Sequence, residues 1–207
     1  MPRAWWRGCR WHPANRPLQW SRYPHRQSSR LRNDMAYRIH LSVDPRYRRK
    51  ITDKRLREWA SATLTALQQP DGTELELAVS GDDEIQELNR TYRGVNAPTD
   101  VLSFPYTEMA APAPFYGDDV PEHDGMDGPF ILPPDSGAIL GELVISYPYA
   151  EHQAKTAGHA VTEELALLVV HGILHLVGHD HTEPDDQARM WAQTNAILSA
   201  LGLTIRL

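Results

Sequence analysis

From residue 35 to the C-terminus this 207-residue chain contains no cysteine; its only one is Cys9. Disulfides and thiolate metal sites are therefore excluded from that body, any metal there must be held by imidazole or carboxylate, and a cytoplasmic location is expected. No apolar run approaches the ~18 residues of a membrane span, so no membrane partner is expected. Cations are scarce as well: residues 35–207 hold 13 Lys and Arg against 26 Asp and Glu, a net of −13. A polyanionic partner would have to find a local basic patch, and eight of the 13 cations do fall between Arg38 and Arg57. The same run reads equally as a solvated helix face. Residues 106–138 have no Lys or Arg at all and carry seven acids, four glycines and six prolines. So long a connection is uncommon in a compact domain. It reads as an acidic insertion between two strands that either shields a site from polyanions or has no role.

Residues 1–34 are the opposite in charge, with eight arginines, the single acid Asp34, four of the six tryptophans and no apolar periodicity. They read as a basic leader, disordered or non-native. The stretch lacks the continuous apolar core of a secretory signal. A transit peptide, a nucleic-acid-touching arm and a true start at Met35 all stay open. The globular unit is expected at residues 35–207, a length suited to one domain.

Histidine is what the chain has in excess, and in one place. Val169–His181, reading VVHGILHLVGHDH, holds four of the ten histidines. Leu165, Leu168, Val169, Ile173, Leu176 and Val177 recur at helical spacing, and Thr162-Glu163-Glu164 offers a capping hydroxyl and acidic charge, so a buried helix is predicted over Val161–Val177. His171 and His175 stand four apart, which puts them on one face with Cβ atoms roughly 5–6 Å apart. They can converge on one ion at bonds of about 2 Å. Gly178 supplies the left-handed turn that ends the helix, which lets His181 fold back as a third ligand. His179, four after His175, competes for that place; the helix break favours His181 and leaves His179 beside the ligands or on the substrate side. A helical His pair alone is as well explained by two hydrogen-bonded rings, and it is the third histidine beyond a glycine that favours a metal.

The spacing also matches the zinc-peptidase signature H-E-x-x-H-x-x-G-x-x-H, except at one position. There the peptidases carry a glutamate general base, a kind of group worth ~100 to 10,000-fold in rate. Here Gly172 can neither accept a proton nor bind metal. The sequence keeps a candidate triad and lacks the base.

Alternation predicts strands through Ile39–Val43, Glu74–Ser80, Val101–Phe104 and Leu140–Ser146. Helices are expected over Thr52–Leu67, from a cap at Asp82 to about Thr91, over Tyr149–Ala157, across the histidine segment and over Pro184–Leu201. The fold class is α+β: a single small domain, with a mixed sheet of about four strands flanked by about five helices. Arg93 precedes a polar turn leading into a strand. Its planar fork suits phosphate oxygens, and it suits a surface ion pair as well.

The segments LNRTYRGVNAPTDVLSFP, LGELVIS and VVHGILHLVGHDH, in that order, resemble the YbeY family of bacterial endoribonucleases, with similarity from about Met35 to Leu203. The resemblance implies a mixed sheet flanked by helices, and a zinc-dependent, single-strand-specific endoribonuclease acting in maturation of small-subunit ribosomal RNA and in ribosome quality control. It implies one Zn(2+) per chain on His171, His175 and His181, a functional role for Arg93, and RNA and the ribosome or its proteins as partners. Nitrogen ligands suit zinc, and copper and nickel as well. The leader and the length of the acidic insertion depart from the family, His179 stands where the family often has an aromatic, and MWAQTNAILSALG in the last helix has fewer glutamates, which reads as surface drift. Two other readings of the site stay open: a metallopeptidase-like hydrolase with its base elsewhere, and a non-catalytic ribosome-assembly factor braced by a structural metal.

Overall fold

The structure, a computed structural model, describes residues 36–106, 139–179, 184–203 and 205; the basic leader, the acidic segment 107–138 and the predicted ligand His181 lie outside them. The described chain runs β1 (Arg38–Val43), α1 (Asp53–Ala66), β2 (Glu74–Ser80), α2 (Asp82–Arg93), β3 (Val101–Pro105), β4 (Ile139–Ser146), α3 (Tyr147–Ala157), α4 (Val161–Leu176) and α5 (Pro184–Ala200). This is the expected α+β architecture. The sheet order is β1-β2-β4-β3. The first three strands are parallel, and β3 pairs antiparallel with β4.

Period-two alternation decides which helix lies on which face. Ile39, Leu75, Leu77, Leu143 and Ile145 point into the main core, which α1, α3, α4 and α5 cover. Ala78, Leu102 and Val144 point the other way, against Ile85 and Leu88 of α2. The sheet therefore separates the layer that carries α4 from the layer that carries α2. No single helix among the described residues is long and apolar enough to cross a membrane.

The helix starts differ from expectation in three places. Asp82 does not cap α2; Gly81 does, and the Asp82 carboxylate accepts a hydrogen bond from the Ser146 hydroxyl. That serine caps α3, accepting from the Tyr149 amide, so α3 begins at Tyr147 rather than Tyr149. Thr162 does not cap α4 either: the cap is Ala160, whose amide donates to the Glu163 carboxylate at 2.8 Å. Only α3 gains a side-chain cap, from Ser146; Gly81 caps α2 without one, and α4 is closed by Glu163 reaching back to the Ala160 amide.

Candidate metal centre

Helix α4 is the most deeply buried element, with every residue from Glu164 to Leu174 in the interior. Its end is a Schellman turn. Gly178, at φ +90°, donates its amide to the His175 carbonyl, and the His179 amide donates to the Leu174 carbonyl at 3.0 Å, so the helix stops one residue beyond His175, with His171 one turn back.

Those two side chains converge. Their Nε2 atoms lie 3.2 Å apart, with the rings nearly perpendicular at 87°. Two nitrogens on one tetrahedral ion, at bonds of about 2.0–2.1 Å, stand about 3.3 Å apart, so the pair fits two corners of such a site. His171 is only 2% exposed and His175 half-buried. Trp191 of α5 stacks on the His171 ring at 5.9 Å and 27°, restricting the ring's rotation. Sequence reading assigned this stretch of α5 to surface drift. Instead Met190, Thr194, Ile197 and Leu198 are buried against the core, and their helical spacing is the signal that places Trp191 beside it.

The backbone beneath the histidines is seated tightly. A Cβ on Gly172 would lie 2.1 Å from Leu143 Cδ1, and Leu143 is fully buried. The Ser103 hydroxyl donates to the Gly172 carbonyl at 3.2 Å, tying α4 to β3. At the last turn, a Cβ on Gly141 would lie 2.3 Å from the Phe104 carbonyl and 2.9 Å from Leu176. Gly172 thus does more than lack a base: any side chain there would have to displace the fully buried Leu143, so packing disfavours a peptidase glutamate at this position. Gly172→Ala should destabilise the protein by about 1–3 kcal/mol through overpacking, read as a lowered urea midpoint. A second change, Leu143→Ala, should recover less than it costs, because it opens a cavity elsewhere.

His179 does not join the pair. Among the described residues no three His, Cys, Asp or Glu side chains form a metal-holding group. His179 lines a cleft of about 300 Å³ with Leu67, Gln68, Gln69, Val177 and Gln193. Arg93 ends α2, half-buried, just before the left-handed Gly94. It belongs to the layer across the sheet from the histidines, and its neighbour Tyr92 meets Phe104 of the edge strand β3 at 5.2 Å.

One acid was not foreseen. Glu142 lies within β4, 3% exposed, beside Glu76 on β2 and Phe104 on β3. Burial, then the charges of Glu76 and Glu84, push its carboxyl up to about 8. Burial, with the Glu142 charge adding to it, also raises the Tyr92 phenol. The signal was an acid inside the otherwise apolar LGELVIS strand. Buried too is Glu164, whose carboxylate pairs with the His159 ring at the α3–α4 elbow and helps fix the start of α4.

The family model for endoribonuclease YbeY matches residues 43–202. The chain belongs to the YbeY family. Among curated relatives, endoribonuclease YbeY of Dehalococcoides mccartyi (strain CBDB1) is 41% identical over 152 residues, 73% of this chain and 86% of the relative. That of Roseiflexus castenholzii is 40% identical over 174 residues, 83% of this chain and 98% of the relative. A solved structure, the solution structure of TM1509 from Thermotoga maritima, matches with a TM-score of 0.44 at 22% identity, over 80% of this chain and 91% of its own. In this YbeY family member the histidine segment, the Arg93 turn and the Glu142 strand all fall inside the matched span.

Proposed function

We propose that this chain is a zinc-dependent, single-strand-specific endoribonuclease that acts in maturation of small-subunit ribosomal RNA and in ribosome quality control, in the cytoplasm and in contact with the ribosome. Membership of the YbeY family supports RNA as the substrate. The observation that carries metal dependence is the 3.2 Å approach of the His171 and His175 Nε2 atoms. His181 is proposed as the third ligand, one ion being held per chain.

His171, His175 and, as proposed, His181 would hold a divalent ion, which would supply Lewis acidity toward a phosphoryl oxygen or water. The chain's own residues do the rest. Burial of His171 under Trp191 keeps its ring in one orientation, and Gly172 supplies no carboxylate base between the two histidines. Arg93 is proposed to stabilise charge growing on the phosphate oxygens. An RNA strand crossing over the edge strand β3 would pass from the α2 layer to the α4 layer, the path needed to meet both Arg93 and the histidines.

Protein purified without a histidine tag should cleave single-stranded RNA and spare duplex RNA. A chelator should abolish cleavage, and one equivalent of zinc should restore it. Undiminished cleavage after exhaustive chelation contradicts the proposal.

A further inference from the structure

The strongest feature that the proposed site does not use is the loop between β1 and α1. Residues 44–57 carry seven Lys and Arg against two Asp, a net of +5 within a body of −13. The loop is pinned from inside. Tyr47 and Ile51 are buried, Tyr47 stacks on Tyr147 at 4.8 Å and 13°, and successive turns close through the Asp44 and Tyr47 carbonyls. With the apolar side chains turned inward, Arg46, Arg48, Arg49 and Lys50 are left exposed, and so are Lys54 and Arg55 at the start of α1.

Arg57, partly buried, donates to the Ile39 carbonyl, and the other six cations divide into two groups. Arg46 pairs with Asp44, Lys50 with Glu151 and Lys54 with Glu58. Arg48, Arg49 and Arg55 have no acidic partner among the described residues. Arg48 is held in place by a neutral group, its Nε donating to the Val43 carbonyl at 3.1 Å. A guanidinium anchored through Nε keeps its terminal nitrogens for another acceptor, and its planar fork matches phosphate oxygens. Arg48 and Arg49 in the pinned loop and Arg55 in the first turn of α1 thus present three guanidinium groups to an external anion on a body that is acidic overall.

The position matters too. The loop follows the C-terminal end of β1, whereas Gly141, which packs against Leu176 in the last turn of α4, lies at the start of β4, which runs parallel to β1 and β2. The two sites therefore lie toward opposite ends of the sheet. We infer that Arg48, Arg49 and Arg55 form a second RNA-binding site, which grips phosphates of a long single-stranded substrate at a distance from the bond that is cut. This rests on the reading of the protein as an RNA-cleaving enzyme.

The test is the triple variant Arg48→Ala/Arg49→Ala/Arg55→Ala in the full chain, with an Arg→Lys triple as the charge-preserving control. Each lost phosphate contact removes about 0.7 from the logarithmic salt slope for single strands, so the alanine triple should lower that slope by about 2. KM for a long single-stranded RNA should rise about tenfold at 150 mM salt with kcat unchanged. Cleavage of an oligonucleotide too short to reach the loop should be unaffected, and the lysine triple should recover most of the binding. An unchanged slope and KM overturns the second site. So does polyglutamate competing with RNA as strongly as a second RNA does, since the loop would then be a docking site for an acidic protein. Absence of RNA cleavage by the unaltered, zinc-loaded protein overturns the functional reading itself, and is distinguished by loss of the short-oligonucleotide activity as well.

Discussion

Glu142→Gln should raise thermal stability at pH 9 by about 10–20 °C and leave it nearly unchanged at pH 4. The cause is the cost of burying a carboxylate. In the unfolded chain the Glu142 carboxyl titrates near 4.5, and in the fold burial and the neighbouring charges of Glu76 and Glu84 hold it at about 8. Because the folded value is the higher one, the native state binds more protons between those two pH values, and stability falls as pH rises through that window. Below about 4.5 the full stability is present; above about 8 the loss is complete. At about 1.36 kcal/mol per pH unit the window amounts to about 5 kcal/mol, and for a chain of this size about 1 kcal/mol corresponds to 2–4 °C. Glutamine keeps the shape and removes the charge, so its profile should be flat where the native one slopes. The Glu142 charge also raises the Tyr92 and Tyr106 phenols, whose ordinary value is already about 10, so at pH 9 and below the difference between profiles reports Glu142 together with its coupling to Glu76 and Glu84. Parallel pH profiles for the two proteins would contradict this account.

His171→Ala should lower single-stranded RNA cleavage by about 1,000-fold or more, equivalent to about 4 kcal/mol of transition-state stabilisation. It should also leave the protein folded. The imidazole is buried between His175 and Trp191, so its loss opens a cavity and costs an estimated 1–3 kcal/mol of stability, a penalty a domain of ordinary stability survives. The pairing of a native circular dichroism spectrum with lost cleavage separates a catalytic metal from a bracing one. A metal that only braces the fold predicts unfolding and lost cleavage together.

Much of this was legible in the sequence, and the parts that were not share a cause. Helix α4 was readable because a 3.6-residue apolar period, a histidine pair four apart and a terminating glycine all point the same way. Strand β2 was readable because Leu75, Leu77 and Val79 alternate with residues of the other face. Unreadable features depend on neighbours far along the chain. Trp191 gains its meaning only when α5 folds back on His171. Gly172 reads as a missing base until Leu143 shows that the helix must sit against β4 there. Glu142 reads as a polar interruption until α2 and β3 close over it. The assignment of Arg93 to the layer across the sheet follows from Ile85 and Leu88 of α2 packing on Ala78, Leu102 and Val144, contacts between segments far apart in the chain.

The most direct test is elemental analysis of tag-free protein alongside its His171→Ala and His175→Ala variants, each dialysed against zinc and then against buffer. The account predicts about one ion per native chain and less than a tenth of an ion in either variant. Less than half an equivalent in the native protein, not recovered on reconstitution, or equal metal in all three proteins, would contradict it.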